Sequence, residues 1–137
     1  MDKPQSTGDA ATKAYHEALA RGAITIQRCR ACGHKQHYPR PFCLECLSID
    51  VTLEPIPARP TLYAFTINHV HSNPAFKAAV PFVTALVEVA DGVRIMARLV
   101  DIEPMPEAIR IGMVLEPASF LDPAGSAIPA FRPAGAP

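Results

Sequence analysis

The clearest chemistry in the sequence belongs to four cysteines, all of which lie within eighteen residues. They form two C-x-x-C pairs, Cys29–Cys32 and Cys43–Cys46, with ten residues between the pairs. Two residues between ligands allow a tight turn to direct both sulfur atoms at one ion, and Gly33 can adopt the positive φ that such a turn often needs. Two such turns facing each other predict a closed tetrahedral four-thiolate site, which is typical of structural zinc.

The same spacing has other uses, which we weighed against zinc. Two disulfides need an oxidising compartment, and a redox C-x-x-C needs only one pair in a βαβ setting, so zinc is favoured. Iron in a rubredoxin-like site has the same ligands and stays open. Structural zinc contributes roughly 10–16 kcal/mol in small modules, enough to fold a ribbon without its own core. Since four thiolates complete the site, we expect His34 and His37 in the spacer to have surface or packing roles.

The segments that precede the first pair must position it. Residues 10–21 are rich in helix formers. One face of this predicted helix, at helical spacing, is formed by Ala11, Ala14, Tyr15, Ala18 and Leu19. Gly22 fits the position after the last turn, and Arg21 suits the negative end of the helix dipole. Residues 23–27 alternate and predict a strand that leads into the first C-x-x-C turn.

After Cys46 the pattern becomes that of strands. Alternating or β-rich runs cover residues 51–56, 61–71, 80–90, 93–100, 114–120 and 128–131. Asp91-Gly92 is the strongest hairpin signal in the chain. Five or six antiparallel strands of this length suggest a closed barrel, because closure removes unprotected edges, and an OB-fold is the best match.

The sequence therefore predicts a mainly β protein made of an N-terminal helix, a rubredoxin-like zinc ribbon and a five- to six-stranded OB-fold barrel. The expected division is a tail and helix at 1–22, the zinc ribbon at 23–48, the OB-fold at 49–133 and a tail at 134–137.

Composition excludes several classes of protein. Apolar residues make up 49% of the 137, which is typical of a globular chain. Thirteen basic residues balance thirteen acidic ones, and this neutrality argues against a nucleic-acid binder. No apolar run is long enough to span a membrane, and the first residues lack the apolar region of a signal peptide, so we expect a cytoplasmic protein.

Several stretches together resemble the bacterial and archaeal zinc-ribbon/OB-fold family catalogued as domain of unknown function 35 (DUF35). The similar stretches are 15–19, 28–34, 38–40, 43–46, 63–66, 80–82, 111–113 and 131–133. The resemblance covers about residues 14–133, and the order of the motifs is more specific than the cysteine turns alone. Two positions depart from the family pattern, because Leu47 and the segment Ala58-Arg59-Pro60 replace glycines that the family often has there.

The resemblance implies an accessory role. Family members are similar to subunits or fused domains that partner thiolase-like enzymes, including lipid-transfer-type thiolases and aldolases acting on acyl-CoA. It therefore implies a hetero-oligomer in which the partner holds the catalytic residues, while this chain helps to hold or channel the acyl-CoA. The sequence agrees in having no G-x-S-x-G, Walker or G-x-G-x-x-G motif and no cysteine beyond the four assigned to metal.

A coenzyme A ligand needs cations for its phosphates and an apolar slot for its acyl chain. Between Glu17 and Glu45 the chain has basic residues and no acid, so the helix and ribbon form a basic module. The candidate CoA-binding residues are Arg28, Arg30, Lys35, Arg40, Phe76 and Phe82. The alternatives are a solvated ribbon surface that offsets the thiolates and, for the phenylalanines, core packing.

Two other functions remain as hypotheses. A single-stranded nucleic-acid module would need Tyr63, Phe65 or Phe76 as a stacking platform beside the basic ribbon. A stand-alone CoA-ester hydrolase would need His69 or His71 as a proton carrier. We expect these histidines to be polar residues at a strand end, and Arg94 and Arg98 to lie on an exposed hairpin face, with interface pairing as the alternative.

Overall fold

A computed structural model of the chain describes residues 10–56, 59–77, 79–122 and 125–135, without the side chains of residues 75 and 76. The chain divides into two units, Met1–Pro55 and Ile56–Pro137. The first contains helix α1 (Ala10–Ala20) and strands β1 (Thr25–Cys29), β2 (Lys35–Gln36) and β3 (Val51–Pro55). The second contains β4 (Thr61–Asn68), α2 (Pro74–Lys77), β5 (Phe82–Ala90), β6 (Val93–Leu99), a 3₁₀ turn (Pro106–Ala108), β7 (Leu115–Ala118) and β8 (Ala130–Pro133).

Helix α1 matches the predicted helix. Its buried residues are Tyr15, Ala18 and Leu19, which belong to the predicted apolar face. The helix ends at Ala20, and Gly22 follows it with a φ of +85° and an N–H that donates to the carbonyl of Leu19 at 2.9 Å. Because a glycine adopts this left-handed conformation without steric cost, it terminates the helix as predicted.

The ribbon sheet has the strand order β2-β1-β3, and both pairings are antiparallel. We predicted residues 51–56 as the first strand of the OB-fold, beginning a domain at residue 49. In the structure β3 instead pairs with β1, with Val51 opposite Cys29 and Pro55 opposite Thr25. The alternation in 51–56 is compatible with either sheet, and five paired residues beside β1 assign the strand to the ribbon.

The second unit is a five-stranded sheet with the order β4-β5-β6-β8-β7. The β5–β6 hairpin turns at Asp91-Gly92 as predicted, with Gly92 at φ +72°. Strand β8 runs parallel to β6 and antiparallel to β7. Hydrogen bonds also join the start of β4 to the start of β7. Leu62 N–H donates to Met113 O at 3.0 Å, and Leu115 N–H donates to Pro60 O at 2.8 Å. The two ends of the strand order therefore meet, which confirms an OB-type barrel.

Alternating residues of the barrel strands form its core. Val83, Ala85, Val87 and Val89 of β5 are buried, as are alternate residues of β6. Phe131 and Leu115, from β8 and β7, are almost fully buried as well. The short helix α2 lies between β4 and β5. Within the described part of the chain, neither helix has the length and apolar content that crossing a membrane requires.

Candidate functional site

The four cysteine sulfurs form one cluster, as the sequence predicts. All four Sγ atoms lie within 4.8 Å of one another, with Cys29 Sγ 3.6 Å from Cys46 Sγ and Cys32 Sγ 3.7 Å from Cys43 Sγ. Four sulfurs bound tetrahedrally at a zinc–sulfur distance of about 2.3 Å would lie about 3.8 Å apart. The donor set and its spacing therefore fit a closed structural zinc site.

The two cysteine turns share one backbone pattern. In the first, Gly33 N–H donates to Cys29 O and Cys29 N–H donates to His34 O, both at 2.8 Å. In the second, Leu47 N–H donates to Cys43 O and Cys43 N–H donates to Ser48 O, both at 2.9 Å. Each turn thus closes at the fourth residue after its first cysteine, which presents both sulfurs on one side.

Leu47 occupies the position in the second turn that Gly33 occupies in the first. Their φ angles are +67° and +82°, so both residues are in the left-handed region. A leucine pays a steric cost there that glycine does not. Leu47 is 68% exposed, so little burial compensates for this strain. Arg59, in the other segment that departs from the family pattern, is also in the left-handed region, with a φ of +70°.

The neighbouring thiols of the cluster shift one another's pKa values. A backbone N–H from His34 lowers the pKa of Cys32, but burial and the neighbouring thiols outweigh it and raise the pKa to about 12. The backbone N–H groups of Glu45 and Cys46 point at Cys43 Sγ, at 3.3 and 3.5 Å. Zinc binds cysteine as the thiolate, and a divalent cation would remove the repulsion between four thiolates. Metal binding must therefore release protons from this site.

A buried pair of glutamines attaches the spacer to the ribbon sheet. Gln27 Oε1 accepts from Gln36 Nε2 at 2.7 Å and from Arg40 N–H at 2.9 Å, while Gln27 Nε2 donates to Arg40 O at 2.8 Å. Gln36 Oε1 accepts from Leu44 N–H, inside the second C-x-x-C turn, at 3.0 Å. Neither residue was among those predicted from the sequence. Gln27 stands at a polar position of the alternating run 23–27, where alternation alone would predict exposure, and the sequence carries no signal for Gln36.

Most of the candidate ribbon cations have carboxylate partners. Arg28 and Lys35 both pair with Glu54, at 3.1 and 3.7 Å, and Arg30 pairs with Asp50 at 3.6 Å. The two acids lie just beyond the acid-free stretch and belong to the same unit, so the basic module is largely neutralised by its own sheet. These partly exposed pairs are each worth under about 1 kcal/mol.

Arg40 differs from the other three ribbon cations. Within the described residues it has no carboxylate within 4.0 Å, and its side chain is exposed. It lines an open groove of about 580 Å³ in the first unit. The other lining residues are Ala10, Ala11, Ala14, Gln27, Pro41, Val51, Thr52 and Leu53. The groove thus combines an unpaired guanidinium with small and apolar side chains.

His34 and His37 are both half-buried. His37 packs between Tyr15 and Tyr38, with ring centroids 5.3 and 4.0 Å away. Burial lowers the pKa of His37 to about 4, and neither ring nitrogen has a hydrogen-bond partner within the described residues. His37 therefore packs against aromatic rings as a neutral imidazole, consistent with the predicted packing role.

The remaining predicted residues lie in the second unit. Phe82 is half-buried on β5, whereas the side chain of Phe76 lies outside the described residues. Of the other two rings proposed as a base-stacking platform, Tyr63 is 46% exposed and Phe65 is half-buried. Arg94 Cζ lies 3.7 Å from the Tyr63 ring centroid and covers it.

His69 and His71 follow the end of β4, and His71 Nδ1 accepts from Asn73 N–H at 3.0 Å. They are residues at a strand end, as expected.

Comparison with known families also divides the chain into two parts, at 51–54, a few residues before the division between Pro55 and Ile56 that the contacts give. Residues 16–51 match the ChsH2 rubredoxin-like zinc ribbon domain, and residues 54–121 match the ChsH2 C-terminal OB-fold domain. A solved structure described as the Ltp2-ChsH2(DUF35) aldolase contains a chain that is 31% identical, with a TM-score of 0.79. The match covers 96% of this chain and 100% of that one.

Three curated relatives are similar over most of the chain. One is the "Probable enoyl-CoA hydratase alpha subunit" of Thermomonospora curvata, 36% identical over 88% of this chain and 36% of the relative. Another is the 3-oxo-4,17-pregnadiene-20-carboxyl-CoA hydratase alpha subunit of Mycobacterium tuberculosis, 30% identical over 89% of this chain.

The third is a DUF35 domain-containing scaffold protein of Methanocaldococcus jannaschii, 30% identical over 65% of this chain and 62% of the relative. The chain spans little more than a third of the two hydratase subunits, 36% and 37%.

Proposed function

The chain belongs to the DUF35 family of proteins that join a zinc ribbon to an OB-fold, and we propose that it is a non-catalytic accessory subunit of a thiolase-like or aldolase-type enzyme acting on acyl-CoA. The observation that carries this proposal is the match, over the whole of that chain, to a component of the Ltp2-ChsH2(DUF35) aldolase. The scaffold name of the archaeal relative and the CoA-ester names of the bacterial ones support it.

The chemistry of the cysteines supports a role without catalysis. The chain has four cysteines, and all four lie in the one cluster. We propose that Cys29, Cys32, Cys43 and Cys46 hold a single structural zinc ion. Four protein ligands leave no coordination position for water or substrate, so zinc would supply folding energy rather than Lewis-acid chemistry.

The proposed contact with acyl-CoA rests on the charges that the ribbon leaves unpaired. Arg28, Arg30 and Lys35 each have a carboxylate within 4.0 Å, and a phosphate would have to compete with it. Arg40 has no such competitor among the described residues and lines an open groove. We therefore assign Arg40 as the principal phosphate contact and the other three as a surrounding positive field. We do not assign Phe82 to the acyl path, because the guanidinium carbon of Arg98 lies 4.0 Å from its ring centroid.

Co-purification tests the accessory role. We would express the full chain, tagged, together with the thiolase-like protein encoded nearest to it, and expect a stable complex that turns over acyl-CoA. The isolated chain should have no thiolytic, hydrolytic or aldolase activity. A chain that purifies alone, or that cleaves thioesters alone, would contradict the proposal.

Titration of the assembled complex with acetyl-CoA tests the ligand contact separately. Arg40→Ala should weaken binding by about tenfold, since a charge-assisted hydrogen bond to phosphate is lost. Arg30→Ala is the matched control, because it removes an exposed arginine of the same ribbon that already pairs with Asp50. Its effect should stay below about threefold, and equal effects of the two variants would argue against Arg40.

A further inference from the structure

One face of the barrel sheet presents two ordered rows of side chains. The register of β4, β5 and β6 places Thr66, Thr84 and Arg98 in one row across the strands. The next row contains Ala64, Leu86 and Met96. The four of these residues on β5 and β6 alternate with buried core positions of those strands, and we call all six the outer sheet face.

Arg98 is held in place on this face by aromatic rings. Its guanidinium carbon lies 4.0 Å from the Phe82 ring centroid and 4.6 Å from that of Phe120. Burial lowers the pKa of Arg98, which marks a partly desolvated cation. Rings that cover the flat faces of a guanidinium leave its N–H edges free to bind a planar carboxylate or a phosphate.

The charge of Arg98 is not neutralised within the described residues. Arg94, four residues earlier on the same strand, also stacks on a ring but pairs with Glu88 at 3.5 Å. Arg98 stacks on rings in the same way but has no acidic partner, since no carboxylate in the described part of the chain lies within 4.0 Å of it. A rigid, partly desolvated arginine of this kind is a typical anchor at protein interfaces.

Beside Arg98 lies a shallow hollow of about 140 Å³. Its lining residues are Ala64, Phe65, Thr66, Thr84, Ala85, Leu86 and Met96. Pockets that enclose a cofactor or a drug-sized molecule usually measure about 300–1,000 Å³, so this hollow is too small for one. Its volume suits one apolar side chain of a partner. Met96 is 61% exposed at its rim and can adapt to such a side chain.

We propose that the outer sheet face docks the partner enzyme subunit, which presents a carboxylate to Arg98 and seats an apolar side chain in the adjoining hollow. This inference rests on the proposed accessory function and names the surface and the chemistry of its partner. A nucleic acid fits less well, because Arg98 and Arg94 already cover the Phe82 and Tyr63 rings on which bases would stack.

Affinity measurements on the co-purified complex test the proposal. Arg98→Glu should raise the dissociation constant by at least about tenfold, and Arg98→Lys should recover part of the loss. Met96→Glu, at an exposed position, should weaken the complex similarly, because it places a charge at the rim of the apolar hollow and a competing carboxylate near Arg98. Arg110→Glu is the matched control: it is exposed, lies in the same unit outside the outer sheet face, and should change the constant less than about threefold.

The outcomes separate this inference from the accessory function. One outcome is that the unchanged chain binds its partner and that the folded variants Met96→Glu and Arg98→Glu bind it as tightly as the unchanged chain does. The proposed docking surface is then wrong, while the accessory function stands. If the unchanged chain forms no complex, both fall. If Arg98→Glu weakens binding of acetyl-CoA but not of the subunit, Arg98 contacts a phosphate and the proposed occupant is wrong. Zinc content and circular dichroism establish that each variant is folded.

Discussion

Gln27 Oε1 accepts a 2.7 Å hydrogen bond from Gln36 Nε2, and both side chains are buried between β1 and β2. This side-chain contact adds to the backbone pairing of β1 with β2, which connects the strand of the first cysteine turn to the spacer that leads to the second. Gln27 also bonds both backbone groups of Arg40, and Gln36 bonds Leu44 N–H. The pair therefore fixes the loop that positions Cys43 and Cys46 opposite Cys29 and Cys32.

A double-mutant cycle on the two glutamines should reveal this coupling. Gln27→Leu and Gln36→Leu each leave buried donors or acceptors without partners, and each should lower the free energy of unfolding by about 2–3 kcal/mol. The double variant should lose about 0.5–3 kcal/mol less than the sum of the single losses, because the partners disappear together. Urea denaturation with zinc present measures all four proteins, and strictly additive losses would contradict the coupling.

Replacing Leu47 by glycine should stabilise the chain. The residue has φ +67° and is 68% exposed, so glycine relieves the left-handed strain and removes little buried surface. We expect a gain of about 1 kcal/mol in the free energy of unfolding. Ile49→Gly, at a position 84% exposed, is the matched control and should be neutral or destabilising. A loss of stability in Leu47→Gly would show that the leucine side chain makes an unrecognised contact.

His37 should make the protein less stable in mild acid. Its pKa is about 4 in the folded chain and 6.5 ordinarily, because burial disfavours the charged ring. The unfolded chain therefore binds more protons as the pH falls below 6.5, and the folded state is penalised until the pH approaches 4. The loss between about pH 7.5 and pH 5 amounts to roughly 2 kcal/mol.

His37→Phe keeps a ring between Tyr15 and Tyr38 and removes the titrating group. Denaturation of both proteins at the two pH values, with zinc in excess, isolates the effect because loss of the metal is common to both. The unchanged chain should lose about 2 kcal/mol more than the variant. Equal losses would mean that His37 becomes protonated in the folded state or is already solvated.

Much of the fold was predictable from local patterns. Gly22 follows the end of α1 and Gly92 forms the β5–β6 hairpin turn, and both have positive φ. Each feature depends on one residue, so it could be predicted from that residue alone. The metal cluster was predictable because two C-x-x-C turns with a short spacer have few alternative uses.

Features set by pairing between distant segments were not predictable. Strand β3 alternates in a way that suits either sheet, and only its register with β1 assigns it to the ribbon. The acid-free stretch predicted a basic surface, but Glu54 and Asp50 come from beyond it and neutralise three of its cations. Gln27 is buried because Gln36, on the strand paired with β1, supplies a hydrogen-bond partner for its side chain.

Elemental analysis of the purified chain tests the central claim, that the four cysteine thiolates together hold one structural zinc ion. We expect one zinc per chain, no free thiol reactivity until a chelator removes the metal, and no bound zinc in Cys32→Ser. A chain that contains iron instead, that holds its cysteines as two disulfides without metal, or that retains zinc after Cys32→Ser would contradict the account.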